Sequence, residues 1–186
     1  MIKSPKIIHT YTIDVETVAA AGEDYFKVGD FTDIWQVGIT RVSDGETKVW
    51  NIKPTSAHYS HPRELWYEFA KWGRDAKARV TNKPELPEVY QEIIDFIGTD
   101  GLLIAHNVSF DRSAWEQTLR LYGLDITNHD WFCSKDAFKE AYPGEPARLG
   151  DLVNRFTESE YIEEDMHDAG KDSYALYKVI ESLLLE

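Results

Sequence analysis

The segment Ile13-Asp14-Val15-Glu16-Thr17 constrains this chain more than any other. It continues the β-branched and aromatic run Ile7, Ile8, Tyr11 and Thr12, which predicts a strand. Side chains alternate across a strand, so Asp14 and Glu16 share one face while Ile13 and Val15 share the other. Two carboxylates held side by side repel each other and lose hydration. A chain tolerates that most readily when a cation lies between them. Taken alone, the pair reads at least as well as a strand end with two solvated acids.

The rest of the chain predicts an α/β domain around that strand. Val18–Thr32 reads as a long loop, and Ile34–Val42 and Thr47–Ile52 flank Ser43-Asp44-Gly45-Glu46, a hairpin with Asp-Gly as its turn signal. Pro54–Pro62 is irregular, and Arg63–Arg79 has helical periodicity. Pro84–Pro87 interrupts it, and Glu88–Ile97 predicts a helix ending at Gly98. Leu102–Ala105 predicts a short buried strand, and helices are expected at about 109–122, 134–141, 149–156 and 168–185. Three early strands followed by alternating helices and short strands predict a mixed sheet. No repeat or composition shift divides residues 1–186, so a single domain is expected.

Two helices carry an acid where an apolar residue belongs. Asp111, Trp115, Leu119 and Tyr122 fall on one face, as do Asp172, Leu176, Val179 and Leu183. A helix N-terminus stabilises an acid by only ~0.3–1 kcal/mol, too little to aim one at a core. Each acid read singly is a first-turn residue leaning into solvent. Together with Asp14 and Glu16 they point to four carboxylates converging on divalent metal. Oxygen-only ligation suits Mg²⁺ or Mn²⁺ and argues against zinc or copper. Asp168 lies one helical turn before Asp172 and reads as the N-cap. His167 stands out by its neighbours, whereas His9, His58, His61 and His129 read as structural or exposed.

Asp14-x-Glu16, Ala105-His106-Asn107-x-x-Phe110-Asp111 and His167-x-x-x-x-Asp172, in that order, resemble the three motifs of the DEDDh family of 3′→5′ exonucleases. That family includes the proofreading subunit of the bacterial replicative polymerase, RNase T and oligoribonuclease. The resemblance runs from about residue 7 to 183, and Leu149-Gly150-Asp151-Leu152 is similar to the segment between the second and third motifs. It implies an RNase H-like fold, a five-stranded mixed sheet flanked by helices, and release of nucleoside 5′-monophosphates from single-stranded 3′ ends. Asp14, Glu16 and Asp172 would hold one metal, and Asp14 and Asp111 would serve a second. His167 would be the general base, and Thr17, Val18, Asn107 and Phe110 would border the terminal nucleotide. Two cations about 3.5–4 Å apart can activate water and clamp both in-line oxygens of a phosphodiester.

The chain departs from the family in two places. Val18-Ala19-Ala20-Ala21 replaces a second Thr and a Gly, and a His-Gly-Ile-Thr-like segment is absent. Substrate class is thereby left open, with an oligoribonuclease-like enzyme for very short RNA as one alternative. A non-catalytic nucleic-acid or partner-binding module on the same fold is another, and a trimmer or proofreader inside a larger assembly is a third setting. Where the family's segment is lacking, Arg63–Lys83 offers an apolar stripe of Leu65, Phe69, Trp72 and Ala76, with Tyr67, Lys71 and Arg74 opposite. Residues 71–83 carry a net +4 in a chain of −13, so Lys71 and Arg74 are candidates to hold a single strand. A solvated amphipathic helix explains the same pattern. The acidic run Glu158–Asp168 reads as solvated surface.

The overall charge argues against a protein that wraps long nucleic acid by its general field. One cysteine, Cys133, excludes an internal disulfide and a cysteine-based zinc cluster and suits a reducing compartment. No apolar run approaches the roughly 18 residues of a membrane helix, and Met1–Lys6 is no signal peptide. A soluble, cytoplasmic protein is expected.

Overall fold

The computed structural model describes residues 9–18, 33–55, 76–158 and 167–185. Its sheet contains β1 (Thr10–Val18), β2 (Asp33–Arg41), β3 (Thr47–Asn51), β4 (Leu102–Ala105) and β5 (Asp130–Cys133), in the order β3-β2-β1-β4-β5. The strands β1, β2 and β3 are antiparallel neighbours, while β4 runs parallel to β1 and β5 parallel to β4. Flanking them are α1 (Ala76–Val80), α2 (Leu86–Ile97), α3 (Val108–Tyr122), α4 (Ser134–Ala141), α5 (Leu149–Phe156) and α6 (Ala169–Leu185). This is the mixed α/β architecture expected. Among the described residues no helix is long and apolar enough to cross a membrane.

Strand alternation sorts the side chains onto two faces. Ile13, Val15, Val37, Ile39, Leu103 and Ala105 pack with residues of α2 and α3 such as Ile93, Ile97, Trp115 and Leu119. On the other face Ile104 packs with Phe138, Leu152, Val153, Leu176 and Val179 from α4, α5 and α6. Thr12 falls on this second face and donates from Oγ1 to the Ser173 carbonyl of α6 at 2.7 Å. The same alternation carries Asp14, two residues on, toward the N-terminal end of α6.

Gly38 of β2 is what lets α6 come down that far. A Cβ there would lie 2.0 Å from the Ala169 carbonyl oxygen and 2.4 Å from the Gly170 nitrogen, so only a glycine admits the helix backbone. Gly38→Ala is expected to lift the start of α6 from the sheet and destabilise the fold by about 1–3 kcal/mol. Urea unfolding measures this, and unchanged stability would show that the helix shifts freely.

Several boundaries differ from the sequence reading. Helix α2 begins at Leu86 because Pro87 sits in the first turn, where an N–H is not needed, and the Glu85 N–H donates to Glu88 Oε2 at 2.8 Å. Val18 belongs to β1; positions 19–32 of the expected loop lie outside the described residues. So do 56–62 of the irregular stretch, 63–75 of the expected basic helix and 159–166 of the acidic run; α1, Ala76–Val80, falls on the described remainder of the basic stretch. Strand β5 is a four-residue edge strand of alternately exposed and half-buried side chains, too short for its Trp131-Phe132-Cys133 to mark it by alternation. The α6 stripe ends at Val179, and Leu183 is exposed.

Candidate functional site

The parallel pairing of β1 with β4 ends at Thr12 opposite Ile104. Beyond that point one edge of β1 lies open, and the Val15 N–H donates to Asp111 Oδ1 at 3.2 Å. Asp111 reaches this place because it leads the buried stripe of α3, Trp115 and Leu119 lying one and two turns behind it. An acid that looked misplaced on an apolar helix face thus caps a buried strand edge that β4 leaves open.

From the opposite layer α6 supplies Asp172. Three contacts fix its first turn: the Ala169 N–H donates to Gln36 Oε1 at 2.9 Å, the Lys171 N–H meets Asp168 Oδ1 at 3.4 Å, and Arg79 Nη1 meets Asp168 Oδ2 at 3.2 Å. Asp168 therefore stands at the N-cap, as its position suggests. His167 just before it has a left-handed backbone, φ 64°, which costs a residue with a Cβ about 1–2 kcal/mol. In that conformation its N–H donates to Asp172 Oδ2 at 3.0 Å. His167 is half-buried, and it is tied to the carboxylate by its main chain.

Asp14, Glu16 and Asp172 each offer a carboxylate oxygen, all lying within 4.8 Å of one another. Asp111 stands beside them on the Val15 amide. Burial, reinforced by the charges of Asp111, Asp172, Glu16 and Asp168, holds the Asp14 carboxyl well above the usual carboxylate range. Burial likewise pushes Asp111 up to about 7, with the charge of Asp172 adding to it and the Val15 amide pulling the other way. Crowded acids under this pressure form an oxygen-rich, anionic donor set, which is the chemistry that holds a hard divalent cation.

A pH effect follows. Asp111 has a folded pKa raised above its ordinary 3.8, so between about 4 and 7 the native state binds a proton that the unfolded chain has released. Its contribution to stability is present at the acid end of that window and is lost as pH rises through 7. Metal-free protein is expected to melt higher at pH 6 than at pH 8, and a divalent cation should narrow or reverse the difference. A melting series with and without EDTA measures it.

Other candidate residues are placed as follows. Thr17 is buried, and Val18 is fully buried, so its main chain rather than its side chain is available at the strand end. Asn107 is exposed at the start of α3, accepting Ser109 Oγ at 3.1 Å, and Phe110 is half-buried against the core. Lys71 and Arg74 lie outside the described residues. His106 is a structural tie: its Nε2 faces the Ala147 carbonyl at 2.9 Å and its Nδ1 the Ser134 hydroxyl at 3.0 Å, and burial lowers its pKa. Nε2 must therefore carry the hydrogen, and the ring pins the β4–α3 turn to α4 and to the segment before α5. Gln36 escaped the sequence reading. Its signal was a polar residue inside Ile34–Ile39, an otherwise apolar strand that is buried on both faces.

A family model described as an exonuclease, RNase_T, matches residues 11–180. No curated protein matches the chain in sequence. Among solved structures, Exonuclease X in complex with 5′-overhanging duplex DNA is similar at a TM-score of 0.62 and 19% identity, covering 95% of this chain and 91% of that one. The nuclease domain of 3′hExo, a DEDDh family member bound to rAMP, gives 0.72 at 13% identity with the same coverage of 95% and 91%. The RNase domain of the yeast Pop2 protein gives 0.67 at 12% identity, covering 95% of this chain and 76% of that one. At these identities the likeness speaks for the fold, the RNase H-like exonuclease fold, and not for substrate.

Proposed function

The chain belongs to the RNase_T family of exonucleases, and from that premise we propose that it is a metal-dependent 3′→5′ exonuclease of the DEDDh type. It would hydrolyse the terminal phosphodiester of a single-stranded DNA or RNA end and release nucleoside 5′-monophosphates. The observation that carries this reading is the meeting of Asp14, Glu16 and Asp172 within 4.8 Å, from a strand and a helix far apart in sequence.

The donor set fits a hard cation: all oxygen, half-buried to buried, and under mutual repulsion that a positive charge relieves. Asp14, Glu16 and Asp172 would hold one Mg²⁺ or Mn²⁺, and Asp14 with Asp111 would hold a second. Bound there, the cations supply Lewis-acid charge that makes water acidic and neutralises charge developing on the phosphate. The remaining work falls to the chain. The Val15 amide fixes Asp111, and the His167 amide fixes Asp172, so neither carboxylate must reorganise during the reaction. The His167 imidazole would take the proton of the attacking water. Thr17, the Val18 main chain, Asn107 and Phe110 would border the terminal nucleotide.

The test is hydrolysis of labelled single-stranded DNA, RNA and a dinucleotide, each with Mg²⁺, Mn²⁺ or EDTA. Mononucleotide release from the 3′ end that stops in EDTA and returns with either metal is expected. Full activity after chelation would sink the two-metal reading. Binding of the strands without hydrolysis under any metal would favour a non-catalytic module.

A further inference from the structure

Beside the carboxylates lies an open groove of about 430 Å³, lined by Gln36, Val49, Asn51, Arg79, Lys83 and Asp168. It adjoins the site on two sides. Glu16 pairs with Gln36, and Gln36 with Asn51, across β1, β2 and β3. At about 4.8 Å per strand, Asn51 stands roughly 10 Å from Glu16. On the other side Asp168 directly follows His167 in the chain.

A hydrogen-bond relay sets the polarity of this groove. The Ala169 N–H can only donate, so the Gln36 atom it meets at 2.9 Å is the carbonyl oxygen. That turns Gln36 Nε2 toward Asn51, where it donates to Oδ1 at 3.1 Å. Asn51 is thereby oriented with its oxygen toward Gln36 and its two Nδ2 hydrogens as donors. Arg79 and Lys83 add cationic donors. The carboxylate on the groove wall, Asp168, is already engaged by Arg79 at 3.2 Å and by the Lys171 N–H at 3.4 Å. An anionic occupant therefore meets donors and positive charge, within a chain of net charge −13.

We propose that this groove grips a backbone phosphate of the substrate strand on the 5′ side of the scissile bond, through Asn51, Arg79 and Lys83. The inference rests on the exonuclease reading of the neighbouring carboxylates. A strand entering that site brings negative charge toward Asp14, Glu16, Asp111 and Asp172, and cations held by those carboxylates would answer only the phosphate being cut. The next phosphates need a counter-charge of their own. Charge-assisted hydrogen bonds to phosphate supply it and hold the strand in register without reading its bases. The grip is accordingly indifferent to sequence and selects for a strand longer than its terminal nucleotide.

Two substrates separate the groove from the catalytic centre. One is a labelled single-stranded oligonucleotide; the other is thymidine 5′-(4-nitrophenyl) phosphate, a phosphodiester with no upstream strand. Lys83→Ala is expected to lower the ratio of kcat/KM on the strand to that on the ester about tenfold. The slope of log(kcat/KM) against log salt on the strand should become shallower by about 0.7. Asn51→Asp, isosteric and repulsive toward phosphate, should lower the ratio further. An unchanged ratio and salt slope in both variants would overturn the grip while leaving the nuclease intact. Should the wild-type protein hydrolyse neither substrate, the exonuclease reading fails. Fluorescence anisotropy of the oligonucleotide in EDTA then decides the groove by itself: weaker binding by both variants upholds it, and equal binding overturns it.

Discussion

Asp14→Asn is expected to remove turnover and, in the same molecule, to raise the melting temperature of the metal-free protein. The two effects share one cause. Asp14 lies against Asp111, Asp172 and Glu16 and is held well above the ordinary carboxylate range by burial first and by those charges next. Asparagine keeps the shape and removes the charge, so repulsion in the empty cluster falls. A gain of about 1 kcal/mol would appear as roughly 2–4 °C in a chain of this size. Catalysis should drop by at least ~10²–10³-fold, the usual effect of deleting one preorganised charge, because Asp14 is the ligand proposed to be common to both cations. Calorimetry in EDTA and rate measurements in Mg²⁺ read the two arms separately. A variant that loses activity and also melts lower would mean that Asp14 is a structural acid.

The second large effect is expected at His167, where the backbone dictates the choice of variant. At φ 64° alanine would keep the strain while glycine relieves it, so His167→Gly removes the imidazole without straining the backbone. The glycine variant should be about 1 kcal/mol more stable than His167→Ala. It also preserves the main-chain N–H that donates to Asp172 at 3.0 Å. A general base contributes only as the water loses its proton. kcat should therefore fall by ~10²–10⁴-fold with KM little changed. Near-normal kcat in a folded His167→Gly protein would confine His167 to holding Asp172 through its amide.

Much of this molecule was written in local pattern. Period-two alternation identifies the two faces of β1, and helical spacing marks Asp111 and Asp172 as acids at the head of apolar stripes. Leu102–Ala105, Ser134–Ala141 and Leu149–Phe156 fall where the sequence pattern predicts them. Those features need only neighbours in sequence, within the reach of propensity and periodicity. The order of the three acidic motifs carries the family in the same way.

What the tertiary structure alone decided are contacts between residues far apart in the chain. Nothing near Val15 indicates that its amide is left over where β4 stops, nor that Asp111, from a helix nearly a hundred positions on, takes it. Gly38 and Gln36 look like ordinary strand residues until the start of α6 descends on one and bonds to the other. His106 sits in the strongest motif yet spends both ring nitrogens on Ala147 and Ser134, because burial demands partners for them. The donor-lined groove exists only because Gln36 passes the polarity of one amide across two strands to Asn51. Local sequence sets which face a side chain takes. Which distant group meets it there is set by sheet register and helix packing, whose energies come from the whole fold.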